Sequence, residues 1–263
     1  MSFEDITACI TEGVGILSFN RPRRANAVRP QTLRELCSTL DAFEADAAVR
    51  AIVLRAEGRH FCAGADVEFL QQLTDSAPLD IHREIYSHFQ GAARRLFESA
   101  KPTVALVGGA AVTVGCELAL ACDFRVVSAE ASFQESWIKL GIIPPLGGLF
   151  LLPRYLGIAR AKQMVLRGES LGATAALEAG LALELVPLAE LDARGLTLAG
   201  ELAQLPSLAY AAAKAALHRG LESTLEAEWS ANVYAQAALL ASDDFREGVQ
   251  ALREKRTPQF KGR

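Results

Sequence analysis

The sequence predicts an α/β core that runs into a helical C-terminal region. Three observations carry this. Short apolar strands alternate with amphipathic helices over the first half of the chain. Two small-residue turns, at residues 60–66 and 108–118, each join a strand to a helix. Beyond about residue 159 the hydrophobic period is almost wholly helical, with one short strand at residues 183–186.

Taken in chain order, residues 6–11 alternate, turn at Glu12-Gly13 and pair as a hairpin with residues 14–19. Asn20-Arg21-Pro22 breaks the second strand. Residues 30–45 carry Leu33, Leu36, Leu40 and Phe43 at helical spacing, and residues 51–55 form a short apolar strand. A loop over 56–64 leads into a helix near 66–73, and a loop over 74–80 precedes one long amphipathic helix over 81–99. Lys101-Pro102 ends that helix, and residues 103–107 make the next strand. Gly108-Gly109 turns the chain, a helix starts near 114–117, and residues 124–127 are another strand. The later helices are expected at 161–166, 173–179, 191–205, 208–219 and 221–240. No repeat and no Pro/Ser-rich linker divides the text, so a core domain, 1–195, carries a helical region, 196–263, within one functional unit. That Ala- and Leu-rich extension has more apolar face than its own domain covers, which predicts subunit packing.

Composition narrows the function classes. At 263 residues, 51% hydrophobic and 22% charged, the chain has the balance of a globular protein with a sizeable core. A net charge of −4 gives no electrostatic reason to expect nucleic acid or an anionic membrane as partner. Five scattered cysteines without a C-x-x-C pair argue against a disulfide framework or a structural zinc, and for a reducing, cytoplasmic setting. The first residues lack the basic and apolar regions of a secretory signal. The most apolar stretch, 103–122, is interrupted by Gly108, Gly109, Gly115 and Glu117, and reads as a buried strand and helix rather than a membrane span. His60, His82, His88 and His218 lack metal-pair spacing, and there is no Gly-x-Ser-x-Gly elbow.

The chemistry lies in the two turns. His60-Phe61-Cys62-Ala63-Gly64-Ala65-Asp66 and the stretch from Gly108 to Leu118 both place unsatisfied backbone N–H groups at a helix N-terminus. Two such ends converging on one point would hold a developing oxyanion, and small side chains let a ligand reach the backbone. Either turn alone is equally consistent with a tight βα connection that needs glycine for steric reasons.

The order of these loops, with Arg21-Pro22 and Asn26-Ala27 upstream and Cys122-Asp123 downstream, resembles the crotonase (enoyl-CoA hydratase/isomerase) superfamily. The resemblance continues through Gly141-Ile142-Ile143-Pro144, Gly147-Gly148 and Glu254-Lys255-Arg256-Thr257-Pro258-Gln259-Phe260, and so spans essentially the whole chain. It implies a crotonase-like spiral of repeated ββα units with a helical C-terminal trimerisation region, assembled as a homotrimer or dimer of trimers. It also implies an acyl-CoA substrate, lyase or isomerase chemistry of the kind used in fatty acid metabolism, and no separate cofactor or metal, coenzyme A being part of the substrate. The two oxyanion-hole N–H groups fall on Ala65 and Val114. The groove for CoA and acyl group falls on Arg24, Ala25, Ala27, Ala63, Asp66 and Val67, with Trp137 in the acyl pocket and Lys255 at the nucleotide end.

The resemblance also sets the acid–base inventory. Family hydratases use two glutamates; the first matches Glu117, and the second position is Trp137 here, with Glu135 two residues earlier. One missing acid or base forfeits roughly 10²–10⁴ in rate, which places two-glutamate hydration in doubt. A tryptophan at this position resembles the arylacyl-CoA dehalogenase branch, but the nucleophilic aspartate of that branch is Pro145 here, which disfavours dehalogenation. Trp137 is suited to stack on a flat acyl group. At the oxyanion turn, Thr113-Val114-Gly115 replaces the family's glycines, and Val114 is expected to need negative φ and to narrow the channel. Three readings stay open: a hydratase/isomerase using Glu117; a non-hydratase isomerase, decarboxylase or thioester hydrolase on a bulkier or planar acyl group; and a catalytically weak CoA-binding homologue.

Overall fold

The computed structural model describes residues 3–263, and of residues 84–86 the backbone only. Met1 and Ser2, where the expected core domain begins, lie outside the described residues. The strands are β1 (Ile6–Thr11), β2 (Val14–Phe19), β3 (Ala51–Ala56), β4 (Thr103–Val107), β5 (Ala110–Val112), β6 (Phe124–Ser128), β7 (Ser132–Gln134), β8 (Ser170–Gly172) and β9 (Glu184–Val186). Six of them form one sheet in the order β1-β2-β3-β4-β6-β9, and β5-β7-β8 form a second.

The first sheet begins as the expected hairpin. Glu12 and Gly13 both take positive φ, 49° and 82°, the twist a two-residue hairpin turn demands, and Ile6 pairs with Phe19. From β2 onward every pairing in this sheet is parallel. β2 and β4 are buried throughout, as parallel strands covered on both faces must be. The period of two sorts their side chains. Leu17, Ile52, Leu54, Ala105 and Val107 face one core, with Leu33, Leu36, Leu40 and Phe43 of helix α1 (Pro30–Ala45). Val14, Ile16, Val53, Val104 and Leu106 face the other.

The expected helix over 81–99 is two helices. After α2 (Val67–Thr74) come α3 (Pro78–Glu84), a π-turn at Ile85–Phe89, and α4 (Gln90–Glu98). The wider turn re-aims the buried face, so that Phe89 enters the core and stacks on Phe69 at 5.4 Å and 17°. Helix α5 (Val114–Ala121) is buried at every position. Helix α6 (Gly148–Arg167) begins well before the expected residue 161 and kinks at Gly157, whose φ of 73° and ψ of 158° are open to glycine.

Helix α7 (Ala173–Glu178) leads to β9, and α8 (Leu191–Ala203) then packs Leu191, Leu198, Ala199 and Ala203 against the second core. Residue 195, the expected domain boundary, falls inside α8, where a Cβ on Gly195 would stand 2.1 Å from Leu106 Cδ2. The C-terminal helices are α9 (Ser207–Gly220), α10 (Leu225–Leu240) and α11 (Asp243–Glu254). α9 is tied to the core by a buried pair, Lys214 Nζ donating to Asp123 Oδ2 at 2.9 Å, with Tyr210 Oη donating to the same oxygen at 3.0 Å. Removing one partner strands the other, so Lys214→Ala is expected to cost about 3 kcal/mol of unfolding free energy, read by urea denaturation. No helix among the described residues is long and apolar enough to cross a membrane.

Candidate active site

Three loops are stitched into one surface. In the first, Asn26 adopts φ of 55°; its Oδ1 accepts from Arg21 N at 2.9 Å, and its Nδ2 donates to Glu57 O at 2.9 Å and His60 O at 2.8 Å. Asn26 thereby fixes this loop to the second, a role visible in the sequence only as an asparagine suited to left-handed backbone. Ala63 N then donates to Ala25 O at 3.0 Å, and Val28 N to Gly64 O at 2.8 Å. The second and third loops join through Cys62 N to Ala110 O at 3.0 Å and Val112 N to Cys62 O at 2.8 Å.

This stitching brings Ala65 and Val114 into adjacent loops, and among the described residues neither N–H has a hydrogen-bond partner. Ala65 bridges Val28 through its neighbours' peptide groups, and Val114 is the first residue of α5, where an N–H has no partner within the helix. Val114 itself has the negative φ expected of it. The strain sits one residue earlier, at Thr113, with φ of 48° and ψ of −111°. For a β-branched residue such backbone costs about 1–3 kcal/mol and is held by its surroundings, here by Thr113 N donating to Gln134 O at 2.7 Å.

Gly64 seals the contact: its φ is 102°, and a Cβ there would stand 2.1 Å from Thr113 Oγ1. Gly64→Ala is therefore expected to force the two loops apart. With the Ala65 and Val114 N–H groups moved apart, turnover should fall about 10²–10³-fold, the effect of losing one oxyanion donor, while the thermal unfolding midpoint drops only modestly, read by assay and melting together.

Glu117 lies behind this pair, fully buried. Its Oε2 accepts from Leu146 N at 2.7 Å and Gly148 N at 2.8 Å, and its Oε1 accepts from Trp137 Nε1 at 3.2 Å. Burial pushes the Glu117 carboxyl up to about 7, and the donors from Gly148, Leu146 and Trp137 hold it from rising further. Glu135 comes within reach of it because β7 pairs with β5, setting Gln134 beside Val112 and carrying the next residue toward α5. Glu135 is also fully buried, and among the described residues no N–H or O–H donor reaches its oxygens, the Cys116 thiol alone standing beside it.

The Trp137 indole bonds Glu117 at its nitrogen and lines a cavity of about 480 Å³ with the rest of its ring. Ala65 opens onto the same cavity, whose walls include Phe69, Leu73, Phe89 and Pro144. Glu117 is not among the lining residues. Gln90 Nε2 closes one side by donating to Pro145 O at 2.7 Å.

The remaining expected groove residues divide. Ala25, Ala27 and Ala63 lie on the stitched loops, half-buried or exposed. Asp66 is engaged in structure instead: it caps α2 by accepting from Glu68 N at 3.0 Å and pairs with Arg21 at 3.1 Å. Val67 is exposed, and Arg24 is an exposed cation paired with Glu68 at 3.3 Å. Lys255 caps α11 in left-handed backbone and does not line the cavity. Burial pushes the Cys62 thiol up to about 12, which suits a core filler rather than a nucleophile.

Ala65 thus opens onto an apolar cavity, Val114 begins a buried helix in the adjoining loop, and the buried Glu117 carboxyl lies one turn further along that helix. The chain belongs to the enoyl-CoA hydratase/isomerase family, whose model matches residues 9–263. It is 37% identical to a Rhodobacter capsulatus protein named "Probable enoyl-CoA hydratase", over 100% of both chains. It is 34% identical to the 1,2-epoxyphenylacetyl-CoA isomerase of Escherichia coli, over 99% of each. The crystal structure of an enoyl-CoA hydratase from Bacillus anthracis superposes with a TM-score of 0.92 at 31% identity, covering 99% of this chain and 100% of that one. The protein is thus an enzyme of the crotonase fold that acts on acyl-CoA.

Proposed function

We propose that this chain isomerises the acyl group of a bulky or planar acyl-CoA through a thioester enolate. The observation that carries the proposal is Trp137, which stands where a hydratase has its second glutamate and instead walls the cavity while holding Glu117. The thioester oxygen is held by the N–H groups of Ala65 and Val114, where charge develops as the α-proton leaves. Glu117 is the acid/base: its carboxylate takes that proton and returns it further along the acyl chain. A pKa near 7 suits both halves of such a shuttle. The acyl group lies against the Trp137, Phe69 and Phe89 rings, and the E. coli isomerase relative, which acts on an aryl-substituted acyl-CoA by its name, supports this choice.

CoA is proposed to run over Arg24, Ala25, Ala27, Ala63, Asp66 and Val67, with Lys255 at its nucleotide end. Among the described residues α10 buries none of its side chains in the single chain, and it exposes Leu225, Trp229, Val233 and Tyr234. That unburied face supports a homotrimer or dimer of trimers built by the region 196–263 on the core 1–195. Five free cysteines support a cytoplasmic setting.

The test offers two substrates to the purified enzyme. Migration of the double bond in 4-phenyl-3-butenoyl-CoA, with little or no hydration of crotonyl-CoA, is the expected outcome. Efficient hydration of crotonyl-CoA without isomerisation would overturn the reading.

A further inference from the structure

Glu135 is the buried group that this mechanism leaves unused. It has no exposed surface, and no N–H or O–H donor reaches either carboxyl oxygen, the Cys116 thiol alone standing beside it. A carboxylate at that depth without N–H or O–H donors or a counter-ion is too costly to keep ionised, and it stays protonated instead. The titratable groups acting on it are the Glu117 carboxylate and the Cys116 thiol, both from α5; neither is a cation. Burial and then the Glu117 charge push its carboxyl well above the usual range.

The two carboxyls both border the space beside the Gly148 Cα. A Cβ at that glycine would stand 3.2 Å from Glu117 Oε2 and 3.2 Å from Glu135 Oε1. Glycine therefore leaves open the space between them. Their surroundings are unequal: Glu117 takes N–H donors from Leu146, Gly148 and Trp137, and Glu135 has only the weak Cys116 thiol beside it. A pair in which one partner has all the N–H donors keeps the charge there and the proton on the other.

We infer that Glu135 is a positioning residue for proton transfer, holding a proton that it exchanges with Glu117 across Gly148 during turnover. This rests on the reading of Glu117 as the base. When Glu117 removes the α-hydrogen as a proton, the C–H electron pair passes into the enolate and the carboxyl pair holds two protons. Glu135 then gives its proton to a Glu117 oxygen while receiving the one Glu117 took. No charge moves in the swap. Glu117 delivers whichever proton it now holds to the γ-carbon, and the pair returns to a single proton.

The experiment follows a label. α,α-Dideuterated 4-phenyl-3-butenoyl-CoA is isomerised in ordinary water by the wild type and by Glu135→Gln, and the deuterium reaching the γ-carbon is measured. In a single turnover with enzyme in excess, a two-hydrogen pool in the wild type limits delivery of the abstracted label to about half, and Glu135→Gln, with no carboxyl proton to swap, should raise delivery about twofold. Equal delivery by the two enzymes would overturn the inference. A second measurement needs no turnover: infrared spectra of both resting proteins at about pH 8, where ordinary carboxyls are ionised. The C=O band of a protonated carboxyl should be present in the wild type and absent in Glu135→Gln. Its absence from the wild type, or its survival in the variant, also overturns the inference. Loss of isomerisation altogether would count against Glu117 as base, and the infrared band would still decide whether Glu135 holds its proton.

Discussion

Glu117→Gln should lower the rate of α-proton removal by about 10²–10⁴-fold, the usual effect of deleting a general base. The amide keeps an oxygen for Leu146 N and Gly148 N, so the fold should survive, as circular dichroism would show. The wild-type rate should rise with pH through a midpoint near 7, because the ionised form is the base and burial has raised its pKa to about 7. Stability should move the other way. Between 4.5 and about 7 the group is ionised in the unfolded chain and protonated in the folded one. The folded state then binds the extra proton, so its stability declines as pH rises through that window and levels off above it. A rate flat from pH 5 to 9 (about that range) would remove Glu117 from the chemistry.

Trp137→Ala has the second largest expected effect, and it acts on two readouts. The indole is 3% exposed and part of the main core, so its deletion should cost about 3–5 kcal/mol in urea unfolding. It also removes the donor to Glu117 Oε1 and widens the cavity beside that carboxylate. With water admitted, the midpoint of the pH–rate profile should fall toward the ordinary carboxyl range. Binding of an arylacyl-CoA should weaken about tenfold relative to butyryl-CoA, since the aromatic contact is lost for the flat group alone. Equal weakening for both would assign Trp137 to core filling.

Much of this site was legible in the sequence because its parts are local. The Glu12-Gly13 hairpin, the spacing of Leu33, Leu36 and Leu40, and the two turns carrying Ala65 and Val114 each occupy one stretch of chain. The second sheet was not legible. β5, β7 and β8 are three residues each, too short for a period of two to stand out. Glu135 went unplaced for the same reason: its nearness to Glu117 follows from the pairing of Val112 with Gln134, which no local pattern encodes. The break at Ile85–Phe89 escaped notice because a π-turn preserves apolar spacing on both sides. Val114 has the negative φ expected of it, and the strained backbone of Thr113, one residue earlier, was not legible.

On the proposed mechanism the enzyme forms a thioester enolate held by the N–H groups of Ala65 and Val114, with Glu117 as base. Solvent exchange tests it most directly. Phenylacetyl-CoA, a saturated arylacyl thioester, is incubated with the enzyme in D₂O, and loss of its α-hydrogen signal is followed by NMR. Exchange by the wild type is expected, slowed sharply in Glu117→Gln and in Gly64→Ala. Saturable binding of the thioester with no exchange above the uncatalysed rate would contradict it.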